Sequence, residues 1–495
     1  MTRTHLYVLF AASEATPYAK TGGLADVVGA LPRALAKWDV EVSVILPRYR
    51  GERAGAVGRC VHDHLVVPFA FGTKTVAIYA DEHKGVPFYF VDAPEYFDRP
   101  GIYGPNPGEE YPDNAERYAF FSRAAIEWAR HLGRPPDLFH CHDWQTGFIP
   151  LYLRTVYRGD PFFRQTKTLF TIHNIGYQGL FPAALLEQFG LNPEVYRTEG
   201  GIEFYGSASA LKAGIVFATA ISTVSRKYAE EIQTPEYGHG LDGLLRAHAA
   251  RLVGILNGVD YEEWNPATDP FIAANYSIEA LEGKRLCKAD LLRTMGLPED
   301  LDRPVIGSIS RLVAQKGFDL VREAAEALLS LGIVYVLLGS GARELEEFFR
   351  AWQRAHPDRV GVYLGFHNEL AHKIEAGADM FLMPSRYEPC GLNQIYSLKY
   401  GTVPIVRATG GLDDTIQPFD PATRSGNGFK FAEYRADHMV AAVQQAVQVY
   451  ADPSLWRTCM ENGMRADFSW DRSAARYREL YERVIAGEGP FREPV

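Results

Sequence analysis

The chain has 495 residues, 47% of them hydrophobic, 23% charged, and a formal net charge of −10. That length exceeds one ordinary core and points to two or three folded domains, with no low-complexity tract to suggest long disorder. The acidic balance excludes broad nucleic-acid binding, which needs clustered Lys and Arg to neutralise phosphates. No apolar run is long enough to span a bilayer, so neither a nucleic acid nor a membrane is an expected partner. Cys60, Cys141, Cys287, Cys390 and Cys459 are scattered, odd in number and form no CxxC pair, as reduced thiols of a cytoplasmic protein would be.

The elements alternate strand, loop, helix. Leu6 to Ser13 is a short apolar run that reads as a first strand buried on both faces rather than a signal-peptide core. Leu24, Val27, Val28, Leu31 and Leu35 then recur at helical spacing, with Pro32 expected to kink the helix about one turn earlier. Val40 to Leu46 is the next strand. Leu65 to Val91 is rich in aromatic and β-branched residues, with Gly72, Lys84 and Gly85 at turn-like places, and reads as a β-hairpin insertion. Glu116 to Leu132 is helical, and Asp137 to His142 and Thr168 to His173 are strands.

The C-terminal half repeats the rhythm. Strands are predicted at Val305–Ser310, Ile333–Leu338, Val360–Leu364, Met380–Met383 and Val403–Val406, and helices at Phe318–Leu331 and Glu344–Ala355. Such alternation builds an α/β fold with parallel sheets covered by helices. Gly254 to Asp260 looks like a last strand ending in a turn, so the boundary falls near Asn257 to Asn265. The expected organisation is one Rossmann-like domain over residues 1–258, a second over 259–472, and a helical tail over 473–495 that packs back across the boundary. Ligands of parallel sheets sit beyond the carboxyl ends of the strands, so the expected pocket is a cleft between the two domains.

Five loops carry unusual chemistry. Glu14-Ala15-Thr16-Pro17-Tyr18-Ala19-Lys20-Thr21-Gly22-Gly23-Leu24-Ala25-Asp26 puts two glycines at a helix start, with a lysine just before them, where free N–H groups attract anions; it reads as a cradle for phosphate or sugar hydroxyls, or else as a plain tight turn. His140-Cys141-His142-Asp143-Trp144 places two histidines on one face of a strand end. With no second cluster to complete a zinc site, the loop suits gripping a sugar ring, although a satisfied core histidine fits equally well. Ser310-Arg311-Leu312-Val313-Ala314-Gln315-Lys316-Gly317 sets two cations between a strand and a helix, the charge pattern of a diphosphate site. Pro384-Ser385-Arg386-Tyr387-Glu388-Pro389-Cys390-Gly391-Leu392 stiffens a lone carboxylate between prolines, with Gly391 expected to open a helix. Thr409-Gly410-Gly411-Leu412 resembles the first loop in form.

Other signatures are broken. Gly339-Ser340-Gly341 follows a strand, but Glu344 stands where the dinucleotide fingerprint needs its third glycine, which disfavours a dehydrogenase. Asp300-Leu301-Asp302 falls on the wrong edge of the sheet for a metal-binding pair and reads as surface.

Taken in order, these loops, with His173-Asn174 and Asn257-Gly258-Val259-Asp260 between them, resemble the bacterial glycogen synthases and plant starch synthases. These are retaining glucosyltransferases of the double-Rossmann fold called GT-B. The resemblance implies that ADP-glucose is the donor and an α-1,4-glucan such as glycogen the acceptor, extended at its non-reducing end. It implies that Arg311 and Lys316 hold the diphosphate, helped by Thr409 and Gly410, and that Lys20 and Gly23 touch donor phosphate or glucose. His142, Asn257 and Glu388 would hold the glucosyl ring with the backbone of Cys390 and Gly391, while Asp26 and Leu392 complete the substrate-binding set. Phe366 stands near the adenine position, where many relatives have Tyr. No cofactor and no metal is implied, since the cations and helix starts neutralise the diphosphate. Two domains would bring the cationic patch and the ring-gripping carboxylate face to face around one nucleotide sugar. The rival readings are a UDP-glucose-dependent synthase, a sucrose- or trehalose-type transferase, and a catalytically silent glucan- or nucleotide-binding homologue.

Overall fold

The computed structural model describes residues 5–50, 58–106 and 108–491. Residue contacts divide the chain into two compact units: Met1–Val224 with Ala229–Gly258 and Trp470–Val495, and Ser225–Tyr228 with Val259–Ser469. The last residues of the predicted tail, 492–495, lie outside the described residues.

The first unit is built on strands β1 (Leu6–Ala11), β2 (Val40–Pro47), β3 (Arg59–Phe69), β4 (Gly72–His83), β5 (Val86–Asp92), β6 (Leu138–His142) and β7 (Lys167–Ile172). Short strands β8 (Leu180–Phe181), β9 (Glu203–Phe204) and β10 (Ser207–Ser209) form a small separate sheet. Strands β11 (Ala220–Thr223) and β12 (Leu252–Gly254) complete the main sheet, in the order β12-β11-β7-β6-β1-β2-β5-β4-β3. All six residues of β1 are buried, because a central parallel strand has helices on both faces.

The segment predicted as a hairpin insertion is instead part of that sheet. β3 and β4 do form a hairpin, but β4 pairs antiparallel with β5, and β5 lies parallel to β2. Its second turn uses Lys84 and Gly85, both at positive φ (51° and 81°), the geometry that joins two twisted strands through two residues. The helix Gly23–Ala36 runs through Pro32 without ending there. It buries Val27, Val28, Leu31 and Leu35 against Val8 and Phe10 of β1. The C-terminal helix Trp470–Ala486 adds Trp470, Ala474, Tyr477, Leu480, Tyr481 and Val484 to the same core.

The second unit has one sheet of β13 (Val305–Leu312), β14 (Val334–Gly341), β15 (Val360–Leu364), β16 (Met380–Met383), β17 (Val403–Arg407) and β18 (Phe429–Phe431). Every pairing is parallel, in the order β15-β14-β13-β16-β17-β18. The helix predicted over Phe318–Leu331 is two short helices, Phe318–Glu323 and Ala325–Ser330, interrupted at Ala324. The tail helix packs as a core element, so Leu480→Ala is expected to destabilise the first unit by about 2–5 kcal/mol, read as an earlier transition in denaturant unfolding.

Candidate functional site

Parallel strands share one direction, so the loops after their carboxyl ends collect along one edge of each sheet. In the first unit Ala11 lies opposite Cys141, His142 opposite Thr171, Ile172 opposite Thr223, and Thr223 opposite Gly254. The loop to Asp26, the His142 loop, His173-Asn174 and Asn257 therefore leave from the same edge.

The first loop is organised by Glu14 at its start, a role that no local pattern in the sequence marks. This buried carboxylate accepts the backbone N–H groups of Thr21 (2.5 Å) and Gly22 (3.1 Å), the Thr21 hydroxyl (2.7 Å) and the Tyr103 hydroxyl (2.5 Å). Two of the N–H groups expected to be free for an anion are thus already satisfied. Gly23 begins the helix, and Lys20 Nζ sits 2.6 Å from Asp26 Oδ1. Burial raises the Asp26 carboxyl, and the Lys20 ammonium opposes that rise.

His140 and His142 share a face and stack at 4.1 Å between centroids, but their surroundings differ. Both ring nitrogens of His140 are engaged, with the Tyr481 hydroxyl (2.8 Å) and Thr171 Oγ1 (2.6 Å). His142 Nδ1 meets His173 Nε2 at 3.0 Å, while His142 Nε2 is buried with no hydrogen-bond partner among the described residues. Burial holds both His140 and His142 well below the ordinary imidazole range and lowers His173 to about 3, so all three rings are neutral. Asp143 adopts φ 56°, and its Oδ1 accepts the His173 N–H (2.7 Å). Burial raises its carboxyl to about 7, against the His173 and Asn174 amides that lower it and with Glu14 adding to the rise. Asn257 is buried, and among the described residues its side-chain oxygen has no hydrogen-bond partner.

In the second unit the Arg311 loop, Phe366, the Pro384–Leu392 loop and Thr409 all follow carboxyl ends of strands. Arg311, within the end of β13, is exposed, and among the described residues its guanidinium has no hydrogen-bond or ion-pair partner. Lys316 Nζ lies 2.6 Å from Glu388 Oε2, which also accepts the Ser385 hydroxyl at 3.1 Å. The Glu388 side chain is only 8% exposed. The expected meeting of cation and carboxylate from opposite domains is therefore corrected: Arg311, Lys316 and Glu388 all belong to one unit.

The two loops that bring Lys316 to Glu388 are tied by backbone. Arg386 N–H donates to the Gln315 carbonyl (2.8 Å), and Gly411 N–H donates to the Glu388 carbonyl (3.1 Å). At Gly410, φ 45°, a Cβ would fall on the Glu388 carbonyl oxygen, so no other residue fits there. The helix expected from Gly391 begins two residues later, at Asn393, because Gly391 takes φ 69°. Cys390 and Thr409 are buried beside it, Leu392 is half-buried, and Phe366 is 91% exposed. Asp300 and Asp302 make surface ion pairs with Arg303 (3.3 Å) and Arg285 (3.2 Å). Among the described residues, no three His, Cys, Asp or Glu side chains are grouped to hold a metal ion.

Residues 7–247 match the starch synthase catalytic domain, and residues 296–463 match glycosyl transferases group 1. A glycogen synthase from Koribacter versatilis is 52% identical over 487 residues, spanning 98% of this chain and 100% of its own. One from Syntrophotalea carbinolica is 47% identical over 483 residues, spanning 97% and 99%. The catalytic domain of starch synthase IV from Arabidopsis thaliana, solved bound to ADP and acarbose, superposes with a TM-score of 0.89 at 35% identity, covering 97% of this chain and 100% of that one. A sucrose-phosphate synthase from Thermosynechococcus elongatus shares the fold, with a TM-score of 0.61 at 18% identity over 98% and 100%. The fold is GT-B, with two Rossmann-like domains.

Two predictions follow from these charges. Glu388→Gln strips Lys316 of its counter-charge in a mostly buried place, and a loss of about 3 kcal/mol in unfolding free energy is expected. Asp143 has a folded-state pKa above its unfolded value, so the native state binds the extra proton and stability falls as pH rises from about 4 to about 7. Asp143→Asn keeps an acceptor for the His173 amide and is expected to flatten that slope in unfolding curves measured across the same window.

Proposed function

The chain belongs to the glycogen synthase and starch synthase family of glycosyltransferases, and from that premise we propose that it transfers glucose from ADP-glucose to the non-reducing end of an α-1,4-glucan, retaining the anomeric configuration. The family takes a nucleotide sugar as donor and a glucan as acceptor. The observation that carries the finer reading is the preassembled group of Arg311, Lys316 and Glu388 at the carboxyl edge of the second sheet.

Breaking the bond between glucose and phosphate builds positive charge on the sugar ring and negative charge on the departing diphosphate. Arg311, exposed and unpaired, is assigned to the diphosphate together with Lys316, the backbone of Gly410 and Thr409. Glu388 is assigned to the ring, with the backbone of Cys390 and Gly391 beside it and Leu392 closing the substrate-binding set. Phe366, with its ring in solvent, is assigned to the adenine. In the first unit, His142 and Asn257 are assigned to glucosyl hydroxyls, because each carries a buried polar atom without a partner. The Lys20, Gly23 and Asp26 loop is assigned to donor phosphate or glucose. The chemistry needs no cofactor and no metal, and reaction in the cytoplasm accords with five cysteines that form no disulfide among the described residues.

Incubating the purified protein with glycogen and ADP-glucose or UDP-glucose tests the proposal. Polymer growth with ADP-glucose is expected, preference for UDP-glucose would reassign the donor, and no growth with any glucose donor would sink the reading in favour of a silent homologue. Arg311→Ala is expected to lower kcat by about 10²–10³ while leaving the melting temperature unchanged, since its side chain holds nothing in place.

A further inference from the structure

We infer that His173 is a positioning residue for glucosyl transfer: its Nε2, 3.0 Å from His142 Nδ1, locks the tautomer and ring plane of His142 and so decides what His142 Nε2 offers a sugar hydroxyl. The inference rests on the assignment of His142 to the glucosyl ring.

Two neutral imidazoles can meet nitrogen to nitrogen in only one way, with an N–H on one and a lone pair on the other. A neutral ring carries its single N–H on one nitrogen, so the atom that bonds Nδ1 dictates whether Nε2 is donor or acceptor. If His173 donates to Nδ1, His142 Nε2 carries the hydrogen; if His173 accepts, Nε2 presents a lone pair. The two tautomers are therefore coupled, and the choice is passed to a buried atom that nothing in the first unit satisfies. An unpaired buried polar atom costs free energy that a ligand hydroxyl would recover.

His140 is the internal contrast. It lies on the same strand face, but both of its nitrogens are saturated, so it has nothing left to offer a ligand. The ring of His142 is held by stacking on His140 and by Phe10 at 5.2 Å, which fix its plane but not its protons. Only His173 touches the proton question. His173 is in turn anchored through its backbone N–H to Asp143 Oδ1 (2.7 Å), whose own N–H donates to the Thr171 carbonyl (2.9 Å). The anchor leaves the His173 side chain free to serve His142.

A double-mutant cycle with glycogen and the preferred donor tests this. His173→Ala is expected to lower kcat/KM by about 10–100-fold, by analogy with the loss of a group that orients a metal-ligating histidine. In a His142→Ala background the same change is expected to cost almost nothing, because its only route of action is gone. His173→Gln, whose amide can reach Nδ1 as donor or acceptor, is expected to restore most of the activity. Selective 15N-histidine NMR of the ligand-free protein is expected to find one His142 tautomer in the wild type and a mixture in His173→Ala. An equal loss in both backgrounds, no loss at all, or an unchanged His142 tautomer would overturn the inference. Where His173→Ala melts below the assay temperature, His173→Asn, too short to reach Nδ1, takes its place in the cycle and in the spectra with the same outcomes. A wild type inactive with every glucose donor would sink the proposed function, while the tautomer coupling is still read in the spectra of the free protein.

Discussion

Glu388 can be carried inside the second unit only because Lys316 meets it there. A lone ionised carboxylate in such a place would shed its charge or open the loop to water. The pair requires two loops from different strands to approach backbone to backbone, and that approach dictates local sequence. Gly317 takes φ 74° with its Cβ position against the Pro384 carbonyl, and Gly410 and Gly411 press on the Glu388 and Cys390 carbonyls. The glycines that look like an anion cradle in sequence are thus, in the first instance, what lets the Thr409 loop pack on the carboxylate loop, while Gly317 lets the loop that carries Lys316 approach it closely enough for the two charges to meet at 2.6 Å. The result is a site whose charges are oriented before any substrate arrives, the condition under which electrostatic stabilisation costs no reorganisation.

The first unit reaches a related solution with backbone in place of a lysine. Glu14 is held by two amides and two hydroxyls, so the glycine turn before the helix Gly23–Ala36 is pinned to the end of β1. That use of Thr21 and Gly22 moves any anion contact along the helix start, to amides that have no intrahelical acceptor. Lys20 is then the loop's exposed charge, resting on the half-buried Asp26.

Most of the architecture was legible in the sequence because parallel strands read as short continuous apolar runs. Thr168–His173 was predicted where β7 spans Lys167–Ile172, and Met380–Met383 coincides with β16. The misread hairpin comes from long-range pairing. Whether a β-rich segment stands apart or joins the sheet depends on β5 finding β2, about 40 residues earlier in the chain, and no local pattern encodes that choice. The site loops were legible as loops, since Gly, Pro and cations after apolar runs are local features. Their partners were not. Glu14 stands seven residues before Thr21, a spacing with no periodicity, and Tyr103 comes from an irregular stretch about 90 residues away. His173 was visible only as half of a dipeptide, because its contact with His142 depends on β6 and β7 lying side by side.

A polar core beneath the second unit explains why these loops keep their geometry. Asp269 Oδ2 accepts from both His372 (2.7 Å) and the Tyr400 hydroxyl (2.5 Å), and Lys284 donates to the carbonyls of Ala376 and Tyr400 and to Thr402 Oγ1. Trp264 lies flat between His372 and Tyr396, at 4.0 and 4.2 Å. Burial raises Glu375 and lowers Lys284, each to about 8, and Ser397 bonds the Glu375 carboxyl at 2.6 Å. A purely apolar core could slide, whereas these hydrogen bonds are directional and tie the helices that carry them to one another. Its members include Tyr396, Ser397 and Tyr400, which sit on or just after the helix Asn393–Lys399 that continues from Gly391 and Leu392. The same helix sends Asn393 to the Ile309 carbonyl of β13 (2.8 Å), two residues from Arg311. The Arg311 loop and the Glu388 loop are therefore fastened to one helix, and that helix is held in turn by the buried hydrogen bonds of Ser397 and Tyr400.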